Sequence, residues 1–207
     1  MSDTLVSPEK LPRRSQRLAL RLLTAIGWCA HFKPFPGPHG VIIVYPHTSN
    51  WDFPISILFK WAVGVPIRWL GKEALFKGVG GFFMGRIMRR LGGQPIERHA
   101  SSGAIERLAQ TIQSADWYWL AIAPEGTRDY RPHWRTGFYH IAMAAKVPLA
   151  MAFIDYKKRE VGVVDFLDLS GDIERDMEQI RTIYAGHEGL HPELAAPIIL
   201  APPKSGA

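Results

Sequence analysis

Two kinds of hydrophobic pattern alternate along the chain: short continuous apolar runs, and longer segments in which apolar residues recur every three or four positions. The short runs are typical of buried strands, and the longer spacing is typical of helices with one apolar face. The predicted strands are 41–45, 65–70, 117–123 and 147–154, and the predicted helices are 13–32, 52–63, 101–114, 137–146 and 172–185. This alternation predicts a single α/β domain with a central mixed, partly parallel sheet flanked by helices.

The first predicted helix carries arginines beside its apolar positions. Leu18 and Leu22 lie one helical turn apart, with Arg21 and other arginines next to them. A basic amphipathic helix of this kind can lie on an anionic membrane, but a helix packed on the core of its own domain shows the same pattern. We predict that residues 1–33 form an N-terminal tail and membrane-docking helix, and that residues 34–207 form the main domain.

Residues 74–91 form a second lipophilic and basic segment, in which phenylalanines and arginines are mixed with four glycines. Glycine weakens a helix, so this segment either packs inside the domain or faces lipid. Nowhere does the chain contain about 20 consecutive apolar residues, the length that a membrane-spanning helix needs. We therefore predict no such helix.

Length, charge and cysteine content limit the classes of protein to which the chain can belong. A chain of 207 residues fits one domain with a single core. The formal net charge of +6 favours an anionic partner, which can be a nucleic acid, an acidic lipid or a phosphorylated substrate. Cys29 is the only cysteine, which excludes an intramolecular disulfide and a cysteine-rich zinc site. Because the histidines also lack metal-binding spacing, we expect no metal.

The polar stretch PHTSNWD, residues 46–52, follows the first predicted strand. Sites in α/β sheets form at the carboxyl ends of strands, which makes His47 and Asp52 candidates for chemistry. Five residues turn a continuous helix by about 500°, so the two side chains can pair only if His47 lies at the strand tip and Asp52 in the first helical turn. Asp52 would then accept a hydrogen bond from Nδ1–H of His47 and leave Nε2 as a general base. The alternative is structural, with Asp52 capping the helix, alone or with Ser49, and His47 as a polar residue at a strand end.

A second polar stretch, APEGTR at residues 123–128, ends the third predicted strand. Gly126 permits a tight backbone path, and the planar guanidinium of Arg128 suits phosphate oxygens. Glu125 can orient a substrate hydroxyl or pair with Arg128, and a β-turn with a surface ion pair is the structural alternative. The G-x-S-x-G nucleophile motif does not occur in the chain, so His47 would activate a hydroxyl or water belonging to the substrate.

Together, His-x4-Asp at residues 47–52 and Pro-Glu-Gly-Thr-Arg at residues 124–128 resemble the glycerolipid acyltransferase family, typified by the 1-acylglycerol-3-phosphate acyltransferases. The stretches GQPIER at residues 93–98 and Val147-Pro148 are similar to two further sequence blocks of that family. The resemblance implies that His47, oriented by Asp52, is the general base on an acceptor hydroxyl that attacks an acyl thioester. It also implies that the acceptor, commonly through its phosphate, is bound by Arg98, Glu125, Gly126, Thr127 and Arg128.

The resemblance covers residues 40–155, with two departures from the family pattern. Pro46 stands where many relatives carry asparagine, which affects the shape of the loop. Met151 stands where a second proline often follows the last block, which bears on the pocket for the acceptor.

We therefore expect an O-acyltransferase that moves a fatty acyl group from acyl-CoA or acyl-carrier protein to a lysophospholipid-like acceptor, with a membrane surface as partner and no nucleic acid. The two lipophilic basic segments and the lipid substrate lead us to expect peripheral or monotopic attachment to the cytoplasmic face of a membrane. Thioester acyl transfer needs no resident cofactor, and we expect none. Two other classes stay open from the residues alone. His47 could activate water in a thioester hydrolase or phosphoesterase, or the chain could be a non-catalytic basic module that binds lipid or nucleic acid through its arginines.

Overall fold

A seven-stranded sheet crosses the computed structural model of the protein, which describes residues 13–77, 79–96 and 103–201. In chain order the strands are β1 (Cys29–His31), β2 (His39–Val44), β3 (Ile67–Lys72), β4 (Gly93–Ile96), β5 (Tyr118–Ile122), β6 (Leu149–Asp155) and β7 (Glu160–Leu167). They lie side by side in the order β1-β7-β6-β2-β5-β3-β4. All neighbouring pairs are parallel except β6 and β7. The predicted α/β class with a central mixed sheet is confirmed.

Helices cover both faces of the sheet. In the described ranges they are α1 (Arg14–Ala25), α2 (Asp52–Val63), α3 (Val79–Arg90), α4 (Ala104–Ser114), α5 (Gly137–Ala145) and α6 (Ile173–Tyr184). On one face, α1 and α2 pack with Ile42 and Trp119. On the other face, α4, α5 and α6 pack with Ile43 and Leu120. Because successive strand residues point to opposite faces and both faces are covered, the central strands are continuously apolar.

The three central strands position the polar loops. β6, β2 and β5 are parallel neighbours, so their carboxyl ends meet at one edge of the sheet. The chain leaves β2 toward His47, leaves β5 toward Glu125 and leaves β6 at Asp155, directly before Tyr156. Side chains from three distant parts of the sequence are thereby brought to the same edge.

The helix predicted over residues 13–32 is shorter in the structure. α1 ends at Ala25, and Gly27 has a φ of +81°, a conformation that residues with side chains rarely adopt. The chain then enters β1, which the sequence pattern does not predict, as it does not predict β4 or β7. The start predicted for the helix over 101–114 falls at residues 101 and 102, outside the described residues, and α4 is described from Ala104.

α1 has one face buried and one face exposed. Leu20 and Leu23 are buried in the core beside α2. Leu18, Leu22 and Ile26, four residues apart, are 58%, 47% and 50% exposed. The helix therefore packs on the core of its own domain, which was one of the two alternatives. Its exposed apolar face is still available for the other alternative, contact with a membrane. Among the described residues, every helix is too short or too polar to cross a bilayer.

Candidate active site

His47 and Asp52 are in contact. β2 ends at Val44 and α2 begins at Asp52, so His47 stands on the loop between the two elements. Oδ2 of Asp52 lies 2.9 Å from Nδ1 of His47. Asp52 is buried, while the side chain of His47 is 22% exposed. The contact predicted from the sequence is present, and Nε2 of His47 has no hydrogen-bond partner among the described residues.

Asp52 also orders the start of α2. Its Oδ2 accepts the backbone N–H of Ser49 at 3.0 Å, and its Oδ1 accepts the hydroxyl of Tyr156 at 2.9 Å. Asp52 is the first residue of α2 and Trp51 is the N-cap, so the expectation that Asp52 caps the helix by itself is wrong. The same carboxylate holds the backbone of Ser49 before the helix and pairs with His47. Donors on both oxygens hold the carboxylate in a single orientation.

Glu125 joins the loop that carries His47 to two other segments. Its Oε2 accepts the backbone N–H of His47 at 2.7 Å, and its Oε1 accepts the backbone N–H of Ala196 at 2.9 Å. Glu125 is 2% exposed. In the described part of the chain it forms no ion pair with Arg128, the partner considered from the sequence. Its carboxylate is used to order main-chain groups on both sides of the site.

The environment of Glu125 changes its ionisation. Burial raises the pKa of Glu125 to about 7, and the N–H groups of Ala196 and His47 oppose that change because they stabilise the carboxylate. Burial, followed by the charge of Glu125, raises the pKa of Tyr45 to about 12. Tyr45 therefore keeps its proton near neutral pH and donates it to the carbonyl oxygen of Ala196 at 3.1 Å. A carboxyl group that titrates near pH 7 thus lies directly behind His47, a feature that is common at functional sites.

Arg135 lies against the loop that follows Glu125. Gly126 has a φ of +68°, and a Cβ at this position would be 2.7 Å from Nε of Arg135. Glycine is therefore required here both for the backbone conformation and for the approach of the arginine. The backbone N–H of Arg135 donates to the carbonyl oxygen of Pro124 at 2.9 Å. Sequence reasoning missed Arg135, although a basic residue just before α5 in the same polar loop is a signal that could have found it.

The other predicted acceptor-binding residues are placed differently. The hydroxyl of Thr127 donates to the carboxylate of its neighbour Asp129 at 3.0 Å. Arg128 is exposed and, within the described ranges, has no hydrogen bond or ion pair through its side chain. Arg98 lies outside the described residues. Within the described residues, the loop thus presents three guanidinium groups without acidic partners, those of Arg128, Arg131 and Arg135, and guanidinium groups bind phosphate oxygens well.

The segment that follows α6 closes one side of the site. The backbone N–H of His191 donates to Oγ1 of Thr48 at 3.2 Å, and a Cβ on Gly189 would be 2.5 Å from the same oxygen. A cleft of about 450 Å³ opens between this segment, Tyr45 and Tyr130. This segment carries no recognisable motif, so sequence analysis could not predict that it lies beside the site.

No metal-binding group of three or more His, Cys, Asp or Glu side chains exists among residues 13–77, 79–96 and 103–201. The arrangement present is a histidine oriented by a carboxylate, a buried carboxyl group and exposed guanidinium groups at one sheet edge. These groups can remove a proton from a bound hydroxyl and hold an anionic molecule.

Comparison with known proteins points to one family. The model of the family described as Acyltransferase matches residues 28–154, more than half of the chain. The chain is also similar in structure to the 1-acyl-sn-glycerophosphate acyltransferase PlsC from Thermotoga maritima, with 16% sequence identity and a TM-score of 0.55. That similarity covers 86% of this chain and 83% of the other, and at this identity it shows a shared fold. No curated protein matches the chain.

Proposed function

The chain belongs to the acyltransferase family, and from this we propose that it moves a fatty acyl group from acyl-CoA or acyl-carrier protein to a hydroxyl of a lysophospholipid, similar to a 1-acylglycerol-3-phosphate. The observation that carries the proposal is the 2.9 Å contact between Nδ1 of His47 and Asp52 at the carboxyl edge of the sheet. The contact fixes the tautomer of the imidazole, so the lone pair is on Nε2.

His47 acts as the general base. Nε2 takes the proton of the acceptor hydroxyl while the hydroxyl oxygen forms a bond to the thioester carbonyl carbon. The tetrahedral intermediate then collapses, the carbon–sulfur bond breaks, and the leaving thiolate takes the proton back from Nε2. A base positioned in this way contributes about 10² to 10⁴-fold in rate. The reaction needs no resident cofactor or metal.

The acceptor binds at the loop after β5. Arg128 and Arg135 supply guanidinium groups for its phosphate, and the predicted contribution of Arg98 adds a third. Gly126 keeps the loop tight enough for Arg135 to lie against it. Thr127 stabilises the loop through the hydrogen bond that its hydroxyl donates to Asp129. Glu125 supports the acceptor site by holding the backbone at His47, which keeps the base beside the bound hydroxyl.

The enzyme binds its lipid substrates from a membrane surface. Leu18 and Leu22 on α1 and Ile26 directly after it form an exposed apolar row. Exposed arginines such as Arg21 flank this row, a combination suited to an anionic bilayer. On α3, Phe83 and other apolar residues are also exposed beside arginines. We place the protein at the cytoplasmic face as a peripheral or monotopic enzyme, with no nucleic acid as partner.

The test is a thioester assay with and without a lysophospholipid acceptor. The release of free thiol from acyl-CoA and from acyl-carrier protein is measured together with the formation of acylated acceptor. We expect thiol release to require the acceptor, and His47→Ala to lower it by at least about 100-fold. His140→Ala, an exposed histidine on α5, is the matched control and keeps full activity. Thiol release that is independent of the acceptor would indicate a hydrolase, and full activity of His47→Ala would contradict the proposed base.

A further inference from the structure

Tyr156 reaches the His47–Asp52 pair from the opposite side to Glu125. β6, which ends directly before Tyr156, and β5, which precedes Glu125, flank β2 on its two sides. The hydroxyl of Tyr156 donates to Oδ1 of Asp52 at 2.9 Å. Oδ2 of the same carboxylate is occupied by His47 and by the backbone N–H of Ser49. Each oxygen of Asp52 therefore has its own donors, and Tyr156 is the donor on the oxygen that His47 does not use.

The hydroxyl of Tyr156 is held in place by contacts to its ring and to its backbone. The ring packs edge-on against Trp28, with ring centroids 4.9 Å apart and planes at 89°. Trp28 is itself buried, at the turn between α1 and β1. The backbone N–H of Tyr156 donates to the carbonyl oxygen of Glu188 at 2.9 Å. With both ends restrained, the hydroxyl has little freedom to leave Asp52.

Tyr156 stays protonated under ordinary conditions. Burial, with the charge of Asp52 and the hydrogen bond to it, raises the pKa of the Tyr156 phenol well above its usual range. The residue is therefore a permanent neutral donor to Asp52 over the pH range in which histidines titrate.

We propose that Tyr156 is a positioning residue for acyl transfer, which holds the Asp52 carboxylate in register with His47 and moderates its negative charge. The proposal rests on the proposed role of His47 as the base. Tyr156 does not touch the reacting atoms and acts through Asp52.

The expected signature is a change in pH dependence. A hydrogen bond to Asp52 withdraws part of its negative charge, so without it the imidazolium form of His47 becomes easier to make, or Asp52 itself takes a proton more readily. An imidazolium has no free base, and a protonated Asp52 no longer orients one, so both changes leave less of the active pair of neutral His47 and ionised Asp52 in acid. Both therefore move the acidic limb of kcat/KM to higher pH. In the part of the chain that the structure describes, the other titratable groups that face Asp52 are His47 on the loop before α2 and Glu125 on the loop after β5, and neither is altered in the test.

The experiment compares two conservative variants. Tyr156→Phe keeps the ring against Trp28 and removes only the hydroxyl, and we expect kcat to fall about tenfold with KM for the acceptor nearly unchanged. The acidic limb should move up by about 0.5 to 1 pH unit. Tyr139→Phe is the matched control, because the hydroxyl of Tyr139 donates to the buried carboxylate of Asp176 at 2.8 Å on the other face of the sheet. It should lose stability without moving the limb.

A third protein carries 3-fluorotyrosine in place of Tyr156, which hardly changes the shape of the side chain. It should move the acidic limb of kcat/KM in the direction opposite to that of Tyr156→Phe. Its more acidic hydroxyl is a stronger donor, so the acidic limb should move to lower pH than in the native protein. This measurement decides the question even if Tyr156→Phe folds poorly. If Tyr156 has a purely structural role, the acidic limb of kcat/KM should stay in place in both Tyr156→Phe and the fluorinated protein.

The inference and the proposed function fail in different ways. If His47→Ala keeps its transfer activity, the proposed base is wrong. If His47→Ala is inactive but the acidic limb is unmoved in Tyr156→Phe and in the fluorinated protein, only the role of Tyr156 is wrong. An equal shift of the limb in Tyr139→Phe would also overturn the role of Tyr156, since the effect would then not depend on Asp52.

Discussion

The backbone N–H of His47 donates to the carboxylate of Glu125 at 2.7 Å, which joins the two polar loops at the edge of the sheet. The bond uses a main-chain group of the histidine and leaves its ring free to pair with Asp52. The two motifs are therefore connected through the backbone, and the position of His47 depends on a residue 78 positions away.

The first prediction concerns the ionisation of Glu125. Because its pKa is raised to about 7 from the ordinary 4.5, the folded protein keeps a proton that the unfolded chain has already lost in this window. Stability from this group is complete below about pH 4.5 and is lost as the pH rises through 7. Relative to Glu125→Gln, which cannot ionise, the free energy of unfolding of the native protein should fall by up to about 3 kcal/mol between pH 5 and 8.

Urea unfolding at several pH values measures this difference. Glu174→Gln, an exposed carboxylate on α6, is the control and should follow the native curve. Parallel curves for the native protein and Glu125→Gln would contradict the raised pKa of Glu125.

A second prediction tests whether Arg128 and Arg135 bind the phosphate of the acceptor directly or act only through the positive charge of the protein. Arg128→Ala and Arg135→Ala should each raise KM for a phosphate-bearing acceptor by about 10- to 100-fold, because each variant loses a charge-assisted hydrogen bond. An acylglycerol without the phosphate should show little change. Arg175→Ala, an exposed arginine on α6, is the control. An equal rise in KM for both acceptors, measured by initial rates, would mean that the arginines do not recognise phosphate.

A third prediction tests the contact between Gly189 and the loop of His47. In Gly189→Ala the new methyl group would lie 2.5 Å from Oγ1 of Thr48, so one of the two loops must move. We expect a loss of about 1–3 kcal/mol in the free energy of unfolding and lower activity. Gly137→Ala, where a Cβ meets nothing within 4 Å, is the control and should be neutral or slightly stabilising.

The cause of a loss in Gly189→Ala can be checked in a double variant. Thr48→Ala removes the two nearest atoms that the new methyl group would meet, Oγ1 and Cγ2, and leaves only Cβ of Pro46 at 3.2 Å. The two substitutions together should therefore be less harmful than the sum of the single effects. Simple additivity would show that the loss has another cause.

A fourth prediction concerns the exposed face of α1. Leu22→Ser should weaken binding to anionic vesicles by about fivefold to tenfold, because it removes one apolar side chain from the membrane contact. Ile199→Ser is closely matched, since the two residues are 47% and 49% exposed and Ile199 lies near Trp134 on the other face of the sheet. Co-sedimentation with vesicles measures both variants, and equal loss in the two would contradict docking through α1.

The sequence predicts which polar loops meet better than it predicts the contacts that hold them in place. Polar motifs after the predicted strands 41–45 and 117–123 indicate a shared site, and parallel pairing of β2 with β5 brings them together. The supports of Asp52 and Glu125 include Tyr156 and the N–H of Ala196. A backbone group leaves no trace in a motif, and a single tyrosine after a strand has many possible roles, so neither could be identified before the fold was known.

β7 illustrates why a strand can escape the sequence pattern. Its run, Glu160–Leu167, is interrupted by Gly162, and glycine is unfavourable inside a strand. In the structure a Cβ at Gly162 would lie 2.3 Å from the carbonyl oxygen of His31 in β1. The glycine that obscures the strand in the sequence is thus the residue that lets β1 pair with it.

The bond between Glu125 and Ala196 has a consequence for biosynthesis. A chain leaves the ribosome with its N-terminus first, and its folding begins before the last residues are made. His47, Asp52 and Glu125 are all translated long before Ala196, so the nascent protein carries both polar loops before the backbone N–H of Ala196 is there to hold Glu125. The proposed acyl transfer should therefore begin only after residue 196 has left the ribosome and its N–H can reach Glu125.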